Sequence, residues 1–227
     1  MNHRFRAFFV ATALGVSLGA LAVAPAAEAI EAGELRFRVL LDDREIGEHR
    51  FVIAPDERGR QIRSEASFDV RLLGIPVFRY RHENLEQWGI DGCLDTISSR
   101  TRSNGERFEV EGRRDPEGGF RVATASDEQA IEGACLMSFA YWDRSFLQQS
   151  RLLNSQTGEV VAVSVESLPA GTESRVANGR ALAGYRVKTA DGETDIRVWY
   201  DPETDRWMGL ESRVASDRLL AYMRTDD

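Results

Sequence analysis

Ile62-Arg63-Ser64-Glu65-Ala66-Ser67-Phe68-Asp69-Val70-Arg71-Leu72 is the stretch whose reading decides the fold. Its apolar and small residues (Ile62, Ser64, Ala66, Phe68, Val70, Leu72) alternate with Arg63, Glu65, Asp69 and Arg71. Successive side chains of a β-strand point to opposite faces, so period two with charges on every other position marks a strand buried on one face only. An amphipathic helix would repeat its apolar residues every three or four positions instead.

The same alternation runs outward in both directions. Upstream, Leu35, Phe37, Val39 and Leu41 oppose Arg36 and Arg38; Asp42-Asp43-Arg44 then turns the chain into Ile46–Ala54, which carries His49, Phe51 and Ile53 on one face. Downstream, Gly74 and Pro76 break the chain before Val77–Trp88. Leu94–Arg102 and Arg107–Arg113 flank Asn104-Gly105, the dipeptide that suits a two-residue hairpin turn. Phe120–Ala125, Tyr185–Thr189, Asp195–Tyr200, Trp207–Val214 and Leu219–Met223 complete a series of ten to twelve short expected strands, spaced about eight to twelve residues apart. The expected fold is all-β: a single large antiparallel sheet, curled into a half-open barrel or a sandwich-like meander. Twisted strands with one apolar face must curl to bury it. Residues 135–153 lack the alternation, with Met137, Tyr141, Phe146 and Leu147 at near-helical spacing, and are expected to form a short helical insert whose aromatics cap an open end of the sheet.

The first residues set the compartment. Arg4 and Arg6 precede an apolar run from Ala7 to Ala24, and the segment closes on Ala27-Glu28-Ala29. That order is the n-region, h-region and small-residue cleavage site of a signal peptide. Residues 1–29 are therefore expected to be removed, leaving a single domain, 30–227, that works in the periplasm or is secreted. The outward faces of the strands are charged, which does not suit an outer-membrane barrel. No membrane-spanning segment is expected once the leader is cleaved. The formal net charge of −8, with Arg scattered over most segments, argues against nucleic acid as a partner. The two cysteines, Cys93 and Cys135, are read as a disulfide because an exported chain meets an oxidising milieu. A redox pair would carry C-x-x-C spacing, and a zinc site would need further His or Cys nearby.

The chain carries Glu86-x-Trp88 after Tyr80-x-His82, Ser99-x-Thr101-x-x-Asn104-Gly105, Ser138-Phe139-Ala140-Tyr141-Trp142, Leu152-Leu153-Asn154-x-Gln156-Thr157-Gly158 and Trp199-Tyr200-Asp201. Together these motifs resemble a family of exported bacterial proteins known as a domain of unknown function, number 6134. The resemblance runs from about Glu34 to Tyr222. It implies an all-β exported domain and carries no assigned activity.

Chemistry is sparse. On the Val77–Trp88 strand, Phe78, Tyr80, His82, Asn84, Glu86 and Trp88 share one face. Phe78, Tyr80, His82, Glu86 and Trp88 are the candidate ligand-binding residues, with the aromatics holding an apolar ligand and His82/Glu86 fixing a polar head. The competing reading is a core strand whose polar tips bond internally. A metal site from His49, His82 and Glu86 has suitable residue types but no supporting spacing, and no metal or other cofactor is expected. Ser138 sits in no nucleophile elbow, so a hydrolase would have to rely on His82 and Glu86. Asp201-x-Glu203-x-Asp205 lacks the residues of a calcium loop and reads as a hairpin turn. Trp199 shares parity with charged residues and is expected to face outward. The expected function is binding of a lipid or another apolar or amphipathic molecule in the curved sheet. A non-catalytic envelope interaction module is the alternative, and a hydrolase the second alternative.

Overall fold

The computed structural model describes residues 33–72, 75–133, 135–214 and 217–225. The expected signal peptide, residues 1–29, lies outside the described residues.

The strands are β1 (Gly33–Leu41), β2 (Arg44–Asp56), β3 (Gly59–Leu72), β4 (Ile75–Gly89), β5 (Leu94–Ser103), β6 (Glu106–Arg114), β7 (Phe120–Thr124), β8 (Glu128–Ile131), β9 (Arg151–Leu153), β10 (Val160–Ser167), β11 (Ala183–Thr189), β12 (Asp195–Tyr200), β13 (Trp207–Val214) and β14 (Arg218–Arg224). All belong to one 14-stranded sheet in the order β8 through β1, then β14 down to β9. Every neighbouring pair is antiparallel, and β1 and β14, the first and last strands among the described residues, pair in the middle of the sheet. Breaking the meander between β8 and β9 leaves two edges joined only by residues 132–150, and the sheet does not close into a barrel.

The sheet curls all the same. Phe37 and Phe51 from one half pack on Trp207 from the other, with ring centroids 4.2 and 5.3 Å apart. The Tyr80 hydroxyl on β4 reaches the Gln156 side chain beyond β9 at 3.0 Å. Curling lets both halves bury their apolar faces against each other, which a flat sheet of this width could not do.

Residues 132–150 plug one end. Only Arg144–Gln148 winds, as a 3-10 turn capped by the Asp143 carboxylate; the remainder of the expected helical insert is irregular, and its end becomes β9. The turn is short, as 3-10 runs are because of their poorer hydrogen-bond geometry. Leu136, Met137, Ala140, Trp142 and Phe146 are buried there. The segment is fastened on every side. Cys93 and Cys135 form the expected disulfide. The Leu94 N–H donates to the Leu136 carbonyl at 2.9 Å and the Leu153 N–H to Met137 at 2.9 Å. The Arg60 guanidinium pairs with Asp143 at 2.5 Å and lies 4.9 Å over the Trp142 ring. Arg144 bonds Asp205 and the Tyr185 hydroxyl, and the Tyr200 hydroxyl donates to the Tyr141 carbonyl at 2.8 Å.

The convex face carries a second, smaller core. Trp199 faces outward, as its parity requires, yet is buried with Val176 and Met208 beneath residues 168–182, which pass over β12 and β13. Gly184 makes this possible: a Cβ there would lie 2.3 Å from the Trp199 ring. Glu211 on the same face accepts the Arg175 N–H at 2.7 Å and the Ser174 hydroxyl at 3.1 Å, pinning the excursion down.

Candidate functional site

Register arranges the inward side chains in rows across β1–β6. One row is Phe37, His49, Ala66, His82, Thr101 and Phe108; the next toward the plug is Leu35, Phe51, Ser64, Asn84, Ser99 and Val110. A further row holds Ile53, Ile62, Glu86 and Ile97. On the other side comes Val39, Gly47, Phe68 and Tyr80. The interior is thus two apolar clusters with a polar band between them. The larger cluster fills the plugged end, and the smaller one (Val39, Leu41, Ile46, Ala66, Phe68) lies toward the β1–β2 and β3–β4 turns.

The expected binding stripe does share one face, but it spans this whole length rather than lining one cavity. Phe78 and Tyr80 are half-buried near the unplugged end. Tyr80 stacks on Phe68 at 5.2 Å, and burial pushes its hydroxyl well above the ordinary tyrosine range. His82 is buried in the polar band with Nδ1 2.8 Å from the Thr101 hydroxyl, its direct cross-strand partner. Burial holds His82 down to about 4; burial, then repulsion from His82, holds His49 at about 3. Both rings are therefore neutral at neutral pH. His49 stacks on Phe51 at 4.1 Å, and both its ring nitrogens are shielded without a hydrogen-bond partner. The Asn84 carbonyl oxygen and the Ser99 hydroxyl in the next row are likewise buried and unpartnered.

Glu86 and Trp88 belong to the plug. Glu86 accepts the Asn84 amide and the Trp88 indole N–H, each at 2.9 Å, and a bond from Ser138 of the inserted segment. Burial raises its carboxyl while these donors pull it back. Trp88 is fully buried, edge-on to Trp142 at 5.0 Å. Four residues separate His82 from Glu86 along one extended strand, about 13 Å at the usual rise, so they do not form a pair. Among the described residues no three His, Cys, Asp or Glu side chains are grouped to hold a metal ion.

Open space lies elsewhere. A cavity of about 700 Å³ at the unplugged end is lined by Leu41, Ile46, Val70 and Val77, together with Asp42, Asp43, Arg44, Arg71 and Arg218. Antiparallel strands put the β1–β2 turn, the Leu72 and Ile75 ends of β3 and β4, and the Val214 and Arg218 ends of β13 and β14 at this end. Asp42 ties two of them together by accepting the Leu219 N–H at 3.0 Å and the Arg218 guanidinium at 2.9 Å. Those two bonds, the backbone one first, hold the Asp42 carboxyl below its ordinary value. Arg44 donates to the Arg71 carbonyl at 3.1 Å, and among the described residues neither Arg44 nor Arg71 sits in a close ion pair. Asp69 interacts with Arg71 only at longer range. Sequence reading passed over these residues; the available signal was Arg71, a lone charge between Val70 and Leu72, whereas Arg44 stands among Asp42, Asp43 and Glu45 and gives none.

A second cavity, of about 620 Å³, lies on the convex face between residues 173–175 and β11–β13. Its charges are largely satisfied internally, as in the two-pronged Arg186–Asp195 pair at 2.8 and 2.5 Å.

The fold and its interior define an all-β domain: one curled antiparallel sheet, plugged at one end and hollowed at the other. The family model for a domain of unknown function, DUF6134, matches residues 37–224, and the chain belongs to that family. No curated protein matches it. Among the described residues no helix is long and apolar enough to cross a membrane.

Proposed function

We propose that this protein is a non-catalytic binder of an amphipathic anion, such as a fatty acid or lipid intermediate, and that it works outside the cytoplasm. The observation that carries this reading is the end cavity: four aliphatic side chains beside two arginines that, among the described residues, have no close ion pair. An acyl chain would lie on Leu41, Ile46, Val70 and Val77, displacing water from apolar surface. Its anionic head would meet Arg44 and Arg71, whose guanidinium forks suit carboxylate and phosphate oxygens. Export follows from the leader of residues 1–29, and Edman sequencing of protein recovered from the cell envelope should begin at Ile30.

The test uses cis-parinaric acid, a fluorescent fatty acid carrying a carboxylate. Saturable binding that Arg71→Glu and Ile46→Asp each weaken about tenfold, a loss near 1.4 kcal/mol, supports the reading. Absence of saturable binding, or binding indifferent to both changes, removes it.

The packed interior favours a second reading, an envelope interaction module that holds no ligand. Trp88, Phe146, Trp207 and Tyr200 occupy the space a deep lipid cavity would need. The separation of His82 from Glu86, and the bonding of Glu86 to the plug, give a hydrolase no support.

A further inference from the structure

We infer that the projecting ends of β3 and β4, Asp69–Arg71 and Ile75–Arg81, are a foot that rests on an anionic lipid surface. The hairpin outruns its neighbours. β2 last pairs with β3 at Gly47 opposite Phe68, and β5 last pairs with β4 at Ser103 opposite Tyr80. Beyond those points β3 and β4 continue through four more pairs, from Asp69 opposite Arg79 to Leu72 opposite Ile75, with no third strand on either side. Its base is held, with Val70 packed on the smaller apolar cluster and the Arg79 carbonyl accepting the Asn104 N–H at 2.8 Å, but a two-stranded ribbon so little covered is marginal in water. This one ends in solvent-facing apolar side chains: Ile75 is 66% and Val77 50% exposed.

Position makes the pattern specific. The described chain has four exposed large apolar residues, Ile75, Val77, Val214 and Ile90. The first three stand at the unplugged end, on the β3–β4 hairpin and at the end of β13, while Ile90 stands alone at the opposite end. Charge complementarity selects the occupant. The whole chain is acidic, at −8, yet the arm from Asp69 to Arg81 carries Arg71, Arg79 and Arg81 against Asp69 and no other described carboxylate. Arg44 adds a further cation, through its bond to the Arg71 carbonyl. Apolar residues at a tip with arginines set behind them are the arrangement of an interfacial anchor: aliphatic groups enter the acyl boundary while guanidiniums meet headgroup phosphates. The end cavity opens beside this tip, since Val70, Arg71 and Val77 line it, so a molecule leaving the bilayer would enter it directly. The foot does not depend on the cavity being occupied, because Ile75 is not among the cavity-lining residues.

The experiment is co-sedimentation of the exported protein with vesicles of three parts phosphatidylcholine to one part phosphatidylglycerol, beside vesicles of phosphatidylcholine alone. The expected result is partition into the anionic vesicles that falls as salt rises, that Ile75→Asp weakens roughly tenfold, and that Ile75→Leu preserves. Parinaric acid binding by Ile75→Asp should be unchanged, which keeps failure of the foot distinct from failure of the cavity. No partition into anionic vesicles, or equal partition by Ile75→Asp and the parent, overturns the inference. So does a photo-crosslinker at position 75 that labels an envelope protein and no lipid.

Discussion

The two ends of the curled sheet are built from the same strands but held in opposite ways. At the plugged end β4 delivers Glu86 and Trp88 into a packed mass of Trp142, Phe146 and Leu136, and every polar atom of Glu86 is engaged. At the other end β3 and β4 run past their neighbours, carry exposed Ile75 and Val77, and border a cavity of about 700 Å³. Packing density is where stability is concentrated, and loosely covered surface is where ligands and partners bind. The contrast assigns stability to one end and recognition to the other.

The sharpest way to break that assignment is to empty the plug. Phe146→Ala or Trp88→Ala should cost about 3–5 kcal/mol, because each removes a fully buried aromatic that the rigid sheet cannot collapse around. Urea unfolding measures it; a loss below 1 kcal/mol would mean that the plug is ornamental and the comparison mistaken. The disulfide comes next. Cys93 and Cys135 close a loop with a sequence separation of 42, and replacing both by Ser should cost roughly 3–4 kcal/mol in the chain-entropy model. Parinaric acid binding at the far end should survive that loss wherever the protein remains folded.

How much of this was legible follows from which side chains report on neighbours along the chain. Alternation in Ile62–Leu72 and the Asn104-Gly105 turn depend on adjacent residues, and both were read correctly: Asn104 and Gly105 adopt φ of 49° and 98°, as that turn demands. Three strands escaped. β8 and β9 are edge strands of four and three residues, too short to show a period, and β9 lay inside the supposed helical insert. β10, Val160–Ser167, next to the β9 edge, alternates half-buried Val161, Val163 and Val165 with exposed Ala162, Ser164 and Glu166, and this period was passed over. The stripe on β4 was read correctly as one face. That the face runs from cavity to plug is a matter of register with β3 and β5, which no single strand contains. Trp199 was placed outward correctly, but its cover, residues 168–182, is distant in sequence and read as an ordinary loop.

The polar band between the two ends sharpens the comparison through pH. His49 and His82 titrate near 6.5 when unfolded, but burial holds them to about 3 and about 4 in the native state. Their contribution is therefore intact above pH 6.5. As pH falls below that value the unfolded chain binds protons that the native chain refuses, so stability declines toward pH 4. By pH 5 the decline is about 2 kcal/mol per histidine. Because His49 makes no hydrogen bond, His49→Phe should remove about half of this dependence without orphaning a partner, as unfolding followed from pH 7 to pH 4 would reveal. A slope unchanged by the substitution would place the titrating groups elsewhere.

The smallest stability effect is expected at a residue that the proposed ligand head would meet. Arg71→Glu alters an exposed side chain beyond the last β2–β3 pair, in no close ion pair among the described residues, so it should move unfolding free energy by no more than about 0.5 kcal/mol. The same substitution reverses the charge that the proposed ligand head would meet, and should weaken parinaric acid binding about tenfold. Thermal unfolding and fluorescence titration on one variant give both numbers. A large stability loss at Arg71 would show that the far end is structural after all. Affinity lost at constant stability would instead separate the two ends by function, since no rearrangement of the plug could produce it.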